Sequence, residues 1–348
     1  MGYKAMKKNL VFVFVIVIGA GLLWYLRNGH NSSGEECFKQ FSISDTSRIR
    51  KIEISDVSGK VATLTRVEGK RRWLINNRYE AREDAVNLIL KTIARTSVRG
   101  NVADAAHEEM MKLIVTSAKK VAIYTDSNEP EKIWYVSVAT PDHTGTVMLL
   151  ELPNEGRGNV PYITHMEGFT GFLSTRFFTD EEEWRYTGVL DYPDLNISRV
   201  VFELQEATPT FMSIDLLPDG NFRIEDHSPI KVATHMGFDT SAVRNLMLSL
   251  RKAHFETYRT GLSPSKLDSV KTSMPFFVIR VTDLQGVTES VSLYRLPAIK
   301  DVLREDGTRE PWNMDHYLGC NSKGEFGLAQ TYTFDPMIYA AMSIRQQR

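Results

Sequence analysis

The stretch KKVAIYTD (119–126) reads as a short strand, with Val121 and Ile123 on one side of an extended chain and a turn-forming Asp126 at its end. FFVIRVTD (276–283), 157 residues further on, has the same shape and the same Thr-Asp ending. If the two are equivalent, the elements around them should recur at a similar spacing. The helices that precede them do. EDAVNLILKTIAR (83–95) places Val86, Ile89, Leu90 and Ile93 at i, i+3, i+4 and i+7, one apolar stripe of an amphipathic helix. TSAVRNLMLSLRK (240–252) places Val243, Leu246, Met247 and Leu250 at the same positions, again 157 residues later.

Upstream of each helix, three short strands are expected. IRKIEIS (49–55), VATLTRV (61–67) and RWLIN (72–76) answer ISRVVFE (197–203), TFMSIDL (210–216) and NFRIE (221–225), with Ile52 and Ile54 matched to Val200 and Phe202. Here the offset is shorter by about eight residues, and HSPIKVATHMG (227–237) before the second helix accounts for the gain. Downstream, IWYVSVA (133–139) matches ESVSLYR (289–295). Each copy closes on an aromatic-rich stretch, VPYITHMEGFTGFL (160–173) or MDHYLGCNSKGEFGL (314–328), read as a hairpin returning to the sheet. DAAHEEMMKLIVTS (104–117) is a second helix in the first copy, and SPSKLDSV (263–270) is its shorter equivalent. The expected fold class is α+β, with two tandem repeats of an antiparallel sheet and a packed amphipathic helix, spanning 46–180 and 196–348 and joined by 181–195. Strands and helices do not alternate as a nucleotide-binding βαβ fold requires.

The chain has 348 residues, 42% hydrophobic and 24% charged, with a formal net charge of −1, so no global field recruits nucleic acid. One segment departs from the average. LVFVFVIVIGAGLLWYL (10–26) carries no charge and as a helix would span roughly 26 Å, against about 30 Å for a bilayer core. Lys4, Lys7 and Lys8 precede it, so the positive-inside bias predicts a cytoplasmic tail (1–8), a transmembrane signal anchor (9–27) and a juxtamembrane linker (28–45). Trp24 and Tyr25 would sit at the membrane interface. The expected location is the bacterial inner membrane, single-pass, with the bulk of the chain periplasmic. A cleaved signal peptide is the rival reading. Cys37 and Cys320 fit either redox compartment; a disulfide between them is one reading and two unpaired thiols the other.

No stretch declares a chemistry. EDHSP (225–229) sets Asp226, His227 and Ser228 side by side, but adjacent residues of an extended chain point to opposite faces and cannot form a triad together. His316 and Cys320 form H-x-x-x-C beside Asp315, without the second ligand pair of a structural metal site. DSNEPE (126–131) lacks the glycine and terminal glutamate of a calcium loop. No catalytic, cofactor or metal residue is therefore assigned. Trp134, Trp184, Trp312 and Tyr317 are candidates for contacting a glycan, peptide or protein partner, although core packing is the ordinary role of such side chains.

The basic start, the apolar segment, KIEI…ATLTR…RRWLINNRYEAREDAVNLILKTI, KKVAIYTD and PYITHMEGFTGFLSTRF together resemble the bacterial envelope family known as domain of unknown function 4340, in the form of its Bacteroidota members and present twice. That resemblance implies an extracytoplasmic accessory or scaffold role beside other envelope proteins, such as transporter, secretion or gliding-type machinery. It carries no functional residues with it. The function expected is thus a non-catalytic, membrane-anchored periplasmic scaffold, with an extracytoplasmic hydrolase or a glycan- or peptide-binding sensor as the alternative.

Overall fold

The computed structural model describes residues 41–69, 72–153, 155–205, 209–229, 239–298, 303–304 and 306–345. The chain divides into two compact units, Met1–Tyr186 and Thr187–Arg348.

In the first unit the elements run β1 (Lys51–Ser55), β2 (Val61–Arg66), β3 (Trp73–Ile75), β4 (Tyr79–Glu80), α1 (Glu83–Arg95), β5 (Thr96–Asn101), α2 (Asp104–Ser117), β6 (Lys119–Tyr124), β7 (Lys132–Ala139), β8 (Thr146–Leu152), β9 (Gly156–Arg157), β10 (Tyr162–Met166) and a single turn, α3 (Glu181–Trp184). Among the described residues the strands form one antiparallel sheet in the order β4, β3, β2, β1, β6, β7, β8, β10, β5, with β9 beside β8. The apolar stripe of α1 buries Val86, Ile89 and Ile93 against Ile52, Ile54, Val121, Ile123, Val136 and Met148 of the sheet. Successive residues of a strand point to opposite faces. On β8, Met148 and Leu150 therefore join the α1 core, while Val147 and Leu149 pack with Ile114 of α2 on the other side.

The second unit runs β11 (Gly188–Leu190), β12 (Ile197–Leu204), β13 (Thr210–Leu216), β14 (Phe222–Asp226), α4 (Thr240–Ser249), β15 (Ala253–His254), α5 (Pro264–Lys271), β16 (Phe277–Asp283), β17 (Thr288–Pro297), β18 (Trp312–Asn321), β19 (Phe326–Gln330) and α6 (Thr331–Arg345). Its main sheet has the order β14, β13, β12, β16, β17, β18, β19, which repeats β3, β2, β1, β6, β7, β8, β10. Asp239 starts α4 by accepting from the backbone N–H groups of Ser241 and Ala242, and Ser263 with Pro264 starts α5. Both α4 and α6 bury apolar residues in the core of this unit, Val243, Leu246 and Met247 from one, Phe334, Met337 and Ala341 from the other.

Strand register corrects the spacing read from the sequence. Ile52 pairs with Ile123 and Ile54 with Val121 in the first sheet; Val200 pairs with Val281 and Phe202 with Ile279 in the second. Val121 thus corresponds to Ile279 and Ile123 to Val281, one residue beyond the match that the shared Thr-Asp ending suggests. A one-residue slip exchanges the two faces of a strand, so the buried side chains decide the alignment.

The expected α+β class is corrected as well. Strand makes up 39% of the described residues against 24% helix, in large antiparallel sheets. Strands of two or three residues such as β4, β9 and β11 are too short to carry a periodic signal. The transmembrane anchor is also unsupported. Crossing a bilayer takes about 20 apolar residues in a helix, and among the described residues no helix is long and apolar enough, α6 with 15 residues and an internal Pro336 included. Residues 9–27, Trp24 and Tyr25 lie outside the described residues, and the single-pass inner-membrane placement, with its periplasmic bulk, is withdrawn.

In the second unit Phe255 lies against the paired Gly319 and Gly327, where a Cβ on either glycine would overlap its ring. The corresponding residues of the first sheet are Met148 and Tyr162, whose side chains fill that space. Gly319→Ala or Gly327→Ala should destabilise the second unit by about 1–3 kcal/mol, read as a lower thermal midpoint. The added Phe255→Leu should recover part of the loss, and full stability of the single variants would refute the cradle.

On the first unit, the Asp56 carboxylate accepts from the hydroxyls of Ser58 at 2.6 Å and Thr179 at 2.7 Å. These bonds, led by Ser58, hold its pKa down at about 2 from an ordinary 3.8. A depressed carboxylate contributes stability that is present above its unfolded pKa and lost as pH falls through its folded one. Asp56→Asn should therefore flatten the fall in thermal midpoint between 3.8 and about 2. Identical acid profiles would remove Asp56 as a source of that fall.

Candidate functional site

The four aromatic candidates occupy different environments. Trp134 on β7 is wholly buried between Phe41 and Phe177, and its indole N–H has no hydrogen-bond partner among the described residues. Trp184 is also wholly buried and donates to the Phe178 carbonyl at 2.9 Å. Tyr317 on β18 stacks obliquely on Phe276 and donates to Asp335 Oδ1 at 2.6 Å; burial, reinforced by that carboxylate, pushes its phenol up. Trp312 alone of the four is well exposed, at 40%. The chain brings Tyr317 and Trp312 to one strand, five residues apart, and leaves Trp134 and Trp184 in the core of the other unit.

Polar side chains converge at the end of β14. His227 Nε2 lies 3.1 Å from the buried hydroxyl of Ser213 and 3.6 Å from Glu225 Oε2, while Asp226 is turned toward Ser228. The cross-strand pair Ser213 and Glu225 is what gathers this cluster, so the neighbours in sequence are not the neighbours in space. Its geometry does not make a relay. A histidine base needs one ring nitrogen for the nucleophile and the other for the acid that orients it, and here both contacts fall on Nε2.

His316 Nε2 meets Glu256 Oε2 at 2.6 Å, away from Cys320, which bonds only weakly to the Asn321 carbonyl. Cys320 carries a free thiol pushed up by burial, the opposite of an activated nucleophile; Cys37 lies outside the described residues. Among the described residues no group of three His, Cys, Asp or Glu side chains is placed to hold a metal ion.

Lys119, which opens the strand quoted first, donates to the carbonyls of Phe177 at 2.6 Å and Ser174 at 3.4 Å, and burial pushes its ammonium down. Arg176 is buried with a nitrogen 2.8 Å from Thr92 Oγ1 in the last turn of α1 and with Phe169 under its guanidinium. A cation suits the negative end of a helix, so Arg176 ties the loop to the frame. Both bases serve packing.

Three further exposed apolar residues lie on β18 and α6. Met314 is 60% exposed, and Tyr332 and Tyr339 on α6 are 89% and 62% exposed. Thr331 Oγ1 donates to the Met314 carbonyl at 2.9 Å, which joins the start of α6 to β18. The sequence reading assigns no helix here, since Pro336 argues against one. The i, i+7 spacing of Tyr332 and Tyr339 was the signal that could have revealed it. Neither a protein-family model nor a curated protein matches the chain.

Trp134→Ala should cost the first unit about 3–5 kcal/mol as a buried aromatic, whereas Trp312→Ala should leave the thermal midpoint nearly unchanged. A neutral Trp134→Ala would contradict its place in the core.

Proposed function

We propose that the protein is a non-catalytic accessory or scaffold protein that engages other proteins through features added to a frame used twice. The observation that carries this reading is where the two units differ. Eleven residues separate the paired Val136 and Met148 in the first sheet, whereas 25 separate Leu293 and Gly319 at the corresponding place in the second. The last strand of the second sheet runs directly into the 15-residue α6, where the first unit ends on the four-residue α3. Those two additions carry Leu303, Trp312, Met314, Tyr332 and Tyr339, all exposed. Exposed apolar side chains of that size are ones a partner protein can cover. The resemblance to the envelope family is what supports seeking those partners in a bacterial envelope complex.

Photo-reactive residues introduced singly at Val115 on α2 and at Trp312 and Tyr339 test the reading in the native host. Covalent conjugates of defined size from at least one position are expected. Their absence from all three would overturn it.

A further inference from the structure

The exposed face of α6 has a specific chemistry. Asp335 follows Tyr332 by three residues and precedes Tyr339 by four, so both rings are its neighbours on the helix surface. Tyr317 holds Asp335 Oδ1 from below at 2.6 Å, and the second carboxylate oxygen has no hydrogen-bond donor among the described side chains. Pro336 has no N–H to offer the Tyr332 carbonyl, which leaves that oxygen without its usual i+4 donor. Two acceptors thus lie on a helix face between two exposed tyrosines.

Seven helical residues advance about 10 Å. A cation midway between the tyrosines would lie within the roughly 6 Å over which a ring attracts it.

Two further carboxylates lie on segments that adjoin β19 and α6. Asp315 is exposed beside Met314, and Glu256 lies against His316. Arg295, whose charge acts on Tyr317, is turned over the rings of Phe276 and Trp312.

Resting on the scaffold reading, we propose that this face docks a basic, apolar segment of a partner protein. One lysine or arginine of that segment donates to Asp335 and the Tyr332 carbonyl with its stem between the tyrosine rings, and the segment's apolar side chains cover Met314.

The test uses the full chain and two labelled peptides of equal length, one alternating lysine with leucine and the other glutamate with leucine, followed by fluorescence anisotropy. The lysine peptide should bind and the glutamate peptide should not. Tyr332→Ser and Tyr339→Ser should each weaken binding by about tenfold. Asp335→Asn should weaken it and also reduce its salt dependence, and Val115→Ser on the other unit should have no effect. Because both tyrosines are exposed, the variants should keep the wild-type melting midpoint, which circular dichroism checks.

Equal binding of the two peptides, or wild-type binding by the tyrosine variants, would overturn the proposal. So would sedimentation showing that the chain alone dimerises and that Tyr339→Ser makes it monomeric, since a second copy would then own the face. Conjugates formed from Val115 alone in the host would refute this docking site while leaving the scaffold reading intact.

Discussion

Each unit depends on one pairing, that of the first strand of its main sheet with the strand that follows its two helices. β1 meets β6 and β12 meets β16 in the middle of their sheets, through Ile52 with Ile123 and Phe202 with Ile279. Joining these strands closes a long stretch of chain, so the entropy lost must be recovered from the apolar residues they bring together. Once they are joined, the intervening helix has one place for its stripe, over the buried face. Hairpins then extend the sheet on both sides.

The second constraint is volume. The frame tolerates large side chains on its strands in the first unit, Met148 and Tyr162, and glycines in the second, because Phe255 enters from the segment after α4 and fills the same space. The ring takes the place that strand side chains hold in the first unit, which is how packed cores accept substitution. Surface additions are free of this limit. The longer β17–β18 connection can differ between units without disturbing the pairing beneath it, whereas α6 buries Phe334, Met337 and Ala341 in the core and is free to vary only on its outer face.

Legibility followed the strength of the periodic signal. The stripe of EDAVNLILKTIAR predicted α1 at its observed ends, and TFMSIDL predicted β13 at its observed ends. β8, buried on both faces over most of its length, shows no alternation and so gives no period-two signal. α6 was missed because it has an internal proline and a weakly one-sided apolar pattern. The polar cluster at Ser213, Glu225 and His227 was invisible in the same way, since cross-strand pairing brings Ser213 within reach from 14 residues away.

By itself the sequence determined the local elements with strong patterns, because a period of two or of 3.6 is a property of neighbouring residues. It also established the near-neutral charge and the want of a recognisable catalytic motif. Tertiary structure decided the strand register, the burial of Trp134 and Trp184 as against the exposure of Trp312, and the meeting of Asp335 with Tyr317 below two exposed tyrosines. These depend on which distant segments share a face. Pairing energy and packing settle that only when the whole sheet is assembled.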